Sequence, residues 1–127
     1  MKNLCKWFFA VIMIQAMIFS FTGCGSEKED DEIEFLIGMS QANLIEPWRI
    51  TMNEEIKEEI SKYPNAKVIF IDAAQDSQKQ IEDIDTLMDY GIDLLIISPN
   101  ASASLTPAIE KVYKKIPVIV LDRAIDG

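Results

Sequence analysis

The chain has no histidine, and its only two cysteines, Cys5 and Cys24, lie within the first 24 of its 127 residues. Without histidine, the commonest general base and the commonest metal ligand are gone. With no cysteine after Cys24, the body has no thiol nucleophile and no disulfide framework. Glycine is scarce, at five residues, and no Gly-rich phosphate loop occurs. Basic charge is also short: 12 Lys+Arg stand against 21 Asp+Glu, a net charge of −9. Lys2 and Lys6 precede Cys24 while no acid does, so the body is more acidic than the whole. Such a body repels phosphate backbones, and no nucleic acid is expected as a partner. A neutral polar ligand is the easiest to reconcile with that charge.

The one long apolar run is N-terminal, over residues 7–21, interrupted only by Gln15 and Ser20. It is shorter than the roughly 20 residues that a transmembrane helix needs. With Lys2 and Lys6 before it, the pattern is that of a secretory signal. It ends in Thr22-Gly23-Cys24. That ending resembles a bacterial lipoprotein signal, in which the cysteine is lipidated and becomes the mature N-terminus. Residues 1–23 are thus expected to be a signal peptide, with Cys24 as the lipidation site. An uncleaved anchor with an incidental cysteine is the rival, and both place the body outside the cytoplasm. Residues 24–32 carry Glu-Lys-Glu-Asp-Asp-Glu after a Gly-Ser pair and are expected to be a solvated acidic tether.

From residue 33 onward, strand and helix patterns alternate. Residues 33–39, 67–72, 93–98 and 116–121 are apolar runs of strand length. The last of these is expected to be a buried parallel strand, apolar on both faces. Between the runs lie three helical patterns. Pro47 fits the first turn of one, with Trp48, Met52, Ile56, Ile60 and Tyr63 at helical spacing. Ser77 and Gln80 have capping-box spacing before the stripe Ile81, Ile84, Leu87 and Met88, and Gly91 is placed to end that helix. Thr106-Pro107 reads as a cap and first turn for the third, with Leu105, Ile109, Val112 and Tyr113 inward. Such alternation predicts an α/β fold, a three-layer parallel sheet flanked by helices. All four strands end in polar residues: Ser40-Gln41, Asp72, Ser98-Pro99-Asn100 and Asp122-Arg123. Ligands bind beyond the carboxyl ends of such strands, so a cleft is expected there.

The segments 37–43, 46–49, 76–80, 93–100, 116–118 and 121–123, taken in order, resemble the N-terminal lobe of a type-1 periplasmic sugar-binding protein. That is the solute receptor of a sugar ABC transporter. The Ser40-Gln41, Trp48-Arg49 and Leu121-Asp122-Arg123 pieces are most similar to the ribose- and galactofuranose-binding branch. The resemblance implies that Trp48 stacks on a sugar ring. It implies that Arg49, Asp122 and Arg123 hydrogen-bond the hydroxyls, with Glu46 a further candidate. A sugar has an apolar C–H face and a polar edge, which one aromatic plate and several fixed donors and acceptors would match. Each residue has a plainer reading. Trp48 could be core, Arg49 a solvated helix residue, and Asp122 and Arg123 a mutual ion pair. Asn43, Asp72 and Asn100 read as turn and cap residues.

The resemblance also implies a second lobe of similar size, joined through a hinge. Residues 33–127 are therefore expected to be the N-terminal lobe alone, incomplete and with the second lobe absent after Gly127. On that reading the lobe by itself folds poorly or leaves a sheet edge exposed. The expected function is an extracytoplasmic, lipid-anchored solute-binding protein, monomeric when intact, which captures a monosaccharide for ABC permease subunits. The alternative is the sugar-sensing domain of a membrane signalling receptor. No cofactor and no metal are expected. No nucleophile–base pair is evident, so a binding protein is expected and not an enzyme.

Overall fold

The computed structural model describes residues 33–125, so the signal, the tether and Cys24 lie outside the described residues. Among the described residues, four strands alternate with three helices. They are β1 (Phe35–Gln41), α1 (Pro47–Ile60), β2 (Ala66–Asp72), α2 (Ser77–Asp89), β3 (Leu94–Ser98), α3 (Ser102–Tyr113) and β4 (Val118–Val120). The sheet is wholly parallel, in the order β2-β1-β3-β4. The chain first winds from β1 out to β2, then crosses back past β1 to β3 and on to β4. Right-handed crossovers therefore put α1 on one face and α2 and α3 on the other, as the alternation predicted. The winding reverses between β1 and β3. A crevice opens at such a switch point, beyond the carboxyl ends of the two strands.

The main core lies between the sheet and the α2–α3 face. Ile84, Leu87, Ile92, Leu95, Ile97, Leu105, Ile109 and Val112 are all buried there. Gly38 of β1 lets α2 approach closely, since a Cβ at that position would stand 2.8 Å from Ile92 Cδ1 and 3.1 Å from Leu87 Cδ1. Gly91 adopts φ +76° just after α2 and ends it, as expected.

Several local expectations are corrected. β1 runs two residues further than expected, which brings Ser40 and Gln41 out of the loop and into the sheet, fully buried. α2 is capped by Asp76, whose carboxylate accepts from the backbone N–H groups of Gln78 and Lys79 at 2.8 and 3.1 Å. Gln80 is not a capping residue, because its side chain is wholly buried beneath the strand ends. α3 begins at Ser102, so Pro107 lies inside it and not at its start. Leu105 explains this, because it must already be helical to reach the core, where it is wholly buried. Tyr113 is 70% exposed and Tyr63 is 52% exposed, so neither faces inward. β4 is shorter than expected and is an edge strand, so it is not buried on both faces. Val118 and Val120 pack on the core while Ile119, on the opposite face, is 45% exposed.

Candidate functional site

α1 is the helix that lies over the switch point, and its one buried residue is Arg49. The apolar stripe expected there is displaced: Trp48 is exposed, and Met52, Ile56 and Ile60 are only half-buried. Arg49 turns inward because the strand ends below it are polar. Its Nη1 donates to Gln41 Oε1 at 3.0 Å and to Ser98 Oγ at 2.5 Å. Its Nε donates to Glu46 Oε2 at 3.0 Å, and its Nη2 to Asp122 Oδ2 at 2.9 Å. A guanidinium has five N–H groups, so these four bonds leave one, on Nη2. The side chain of Arg49 is only 6% exposed. A charge so buried is tolerable only when it is paired and hydrogen-bonded, and two carboxylates and two neutral acceptors achieve that here.

Trp48 lies against the guanidinium of Arg49, 4.2 Å from ring centroid to Cζ. That distance is a cation–π contact. One face of the indole is thereby occupied, and the residue is still 45% exposed. Trp48 is therefore not core.

Asp122 reaches Arg49 by an unusual backbone. Its φ is +67°, and the N–H of Arg123 bonds back to Leu121 O at 2.7 Å across it. That is a three-residue turn with a strained central residue. The turn carries the Asp122 carboxylate off the sheet plane toward α1. Asp122 thus pairs with Arg49, 73 positions away, and not with its neighbour Arg123. Arg123 donates instead to Asn100 O. Asp122 Oδ1 and Glu46 Oε1 accept no hydrogen bond from the described residues.

The five sequence-nominated residues fall into two groups. Glu46, Trp48, Arg49 and Asp122 form one contiguous cluster, drawn from the α1 N-terminus and the turn after β4. Arg123 stands beside it, tied to the β3–α3 loop. Asn43 and Asn100 are loop residues, and Asp72 ends β2 with its side chain holding the turn that follows. Asn43 Oδ1 accepts from Ile45 N, Asp72 Oδ1 accepts from Ala74 N, and Asn100 Nδ2 bonds Gln75 O and Ser77 Oγ. Gln41, Ser98 and Gln80 were not nominated. In the sequence Gln41 and Ser98 were marked as polar residues at the ends of apolar runs, and Gln80 by its capping-box spacing from Ser77; all three fall within the segments of the family resemblance. Among the described residues, no group of three or more His, Cys, Asp or Glu could hold a metal ion, and no helix is long and apolar enough to cross a membrane.

A family model described as a periplasmic binding protein domain matches residues 37–127. The ribose import binding protein RbsB of Bacillus subtilis (strain 168) is 30% identical over 122 residues, which are 89% of this chain and 40% of that protein. The chain thus spans about two fifths of the length of the curated relative it matches. Among solved structures, the fructose binding periplasmic domain of a hybrid two component system is 45% identical, with a TM-score of 0.70 over 73% of this chain and 31% of its own. A solute binding protein of an ABC transporter from Bacillus halodurans C-125, with bound myo-inositol, is 30% identical, with a TM-score of 0.69 over 78% of this chain and 34% of its own. Fold, strand order and family model agree: the chain belongs to the periplasmic binding protein domain family, and its body corresponds to the N-terminal lobe of the sugar-binding type-1 fold.

Proposed function

We propose that this chain is the N-terminal lobe of a lipid-anchored, extracytoplasmic receptor that captures a monosaccharide for an ABC importer. The observation that carries this reading is the cluster of Trp48, Arg49, Glu46 and Asp122 at the switch point. A sugar ring would stack on the indole face that Arg49 leaves open. Its hydroxyls would donate to Asp122 Oδ1 and Glu46 Oε1 and accept from the remaining N–H of Arg49. Arg123 would reach a further hydroxyl. Each carboxylate accepts from vicinal hydroxyls, whereas an anionic sugar would meet two acids already beside one arginine. Neutral monosaccharides are therefore the ligand class, which fits relatives named for ribose, fructose and myo-inositol.

Calorimetric titration of the protein made from its own gene with D-ribose, D-fructose, D-galactose and myo-inositol tests this. One of them should bind with a Kd on the order of 1 μM or tighter, about −8 kcal/mol. Failure of all four, with a glucuronate or a sugar phosphate binding instead, would sink the neutral-sugar reading. The anchor at Cys24 is tested by labelled palmitate, whose incorporation Cys24→Ser should abolish.

A second reading is favoured by one observation. The 45%-identical structure is the periplasmic domain of a hybrid two component system, so sugar sensing is the alternative to import. Deleting the gene separates them. Loss of labelled-sugar uptake supports import, and loss of sugar-dependent transcription with uptake intact supports sensing.

A further inference from the structure

We propose that Gln41 and Ser98 are positioning residues of this site: without touching the ligand, they set the plane of the Arg49 guanidinium, and through it Trp48 and Asp122. The inference rests on the sugar-site reading above and deepens it.

Neither residue can meet a ligand directly, since Gln41 is 1% exposed and Ser98 is wholly buried. They are register partners on the two strands that flank the switch point. Both therefore present side chains to the same face, side by side beneath α1. Together they take both N–H groups of Arg49 Nη1. A planar fork held at Nη1 cannot rotate, so the directions of Nε and Nη2 are fixed as well. Those are the nitrogens that hold Glu46 and Asp122.

The two acceptors are themselves held. The Gln41 amide donates to Asn53 Oδ1 at 3.1 Å and to Met52 Sδ at 3.5 Å. Its NH2 is thereby committed to α1, and its oxygen is left for Arg49. Ser98 sits on a strand end pinned by Gln80, whose amide donates to Ser98 O at 3.0 Å and to Ser40 Oγ at 3.2 Å. Gln80 Oε1 accepts in turn from Asn100 N at 2.8 Å. No buried side-chain polar atom among the described residues lacks a partner. A satisfied buried network of this kind holds one geometry.

The test uses the protein carrying Trp7→Phe, which leaves Trp48 as the only tryptophan of the 127 residues. Gln41→Leu and Ser98→Ala each remove one acceptor, and Ser98→Thr keeps the hydroxyl. Asn53→Ala unlatches the Gln41 amide from a half-buried helix position, should the buried changes prevent folding. D-fructose is the probe. In folded variants, Gln41→Leu and Ser98→Ala should weaken D-fructose binding about tenfold, as loss of one bond to a charged group does. They should also shift the Trp48 emission of the sugar-free protein, and Ser98→Thr should restore both readings. A merely structural role would leave that emission unmoved once folding is established by circular dichroism. A Trp48 spectrum identical across the folded variants overturns the proposal, whatever the sugar does. If the unsubstituted protein ignores D-fructose while the emission shift appears, the positioning role stands and the choice of sugar falls.

Discussion

Asp122 holds its place at a cost to the backbone. A non-glycine residue at positive φ is strained by about 1 kcal/mol or more. The return is a carboxylate aimed at Arg49, with its other oxygen left free. Asparagine tolerates the same backbone and can still accept from Arg49 through its amide oxygen. Asp122→Asn should therefore leave the unfolding free energy within about 1 kcal/mol of the parent while weakening sugar binding tenfold or more. Urea unfolding and calorimetry measure the two effects, and an unchanged affinity would remove Asp122 from the site. At this scale the sequence was partly legible. Polarity at strand ends marked Asp122 and Arg123, and the family resemblance marked Trp48 and Arg49. Nothing in the local pattern showed that Arg49 turns inward. That follows from Gln41 and Ser98 becoming neighbours, a contact 57 residues apart that only strand pairing creates.

The elements show where local chemistry decides and where packing overrides it. Asp76 is a local device, since one carboxylate oxygen satisfies two orphan N–H groups of α2. Asp76→Ala should cost about 1 kcal/mol of stability without altering sugar affinity, as read from urea unfolding beside calorimetry. A loss of affinity would instead mean that α2 orients the site directly. The same stretch shows how a spacing rule misleads. Ser77 and Gln80 fit a capping box, yet Gln80 is drawn under the strand ends by Ser40 and Ser98. In α3, Pro107 pulled the expected start downstream, because residues 101–104 alternate alanine and serine and carry no apolar period. The start is set by the need to bury Leu105. The existence and order of all seven elements were legible because each apolar run is bounded by polar or turn residues. Pro47 in the first turn of α1 and Gly91 just after α2 stand where expected, whereas the starts of α2 and α3 were misread because Gln80 and Leu105 are drawn to tertiary partners.

Across the whole sheet the two faces are unequally covered. Among the described residues, α2 and α3 seal one face over a continuous core, while α1 alone lies on the other, above the switch point. At the β4 end of that second face Ile119 is 45% exposed beside its register partner Ile96, and among the described residues no strand lies beyond β4. The expectation of a strand buried on both faces is not met by these residues. An apolar edge of this kind templates association with other chains, and charge on the edge suppresses it. Ile119→Lys should lower the light scattering of the 127-residue chain at high concentration. Its effect on unfolding free energy should stay within about 1 kcal/mol, since little of the side chain's burial is lost. The net charge of −9 already opposes association, so scattering of the parent should rise with added salt, and that of the lysine variant should rise less. If both scatter alike at high salt, the sticky surface lies elsewhere. The apolar residues Leu44, Ile45 and Ile50 around α1, 39%, 70% and 42% exposed, would then be the next to substitute.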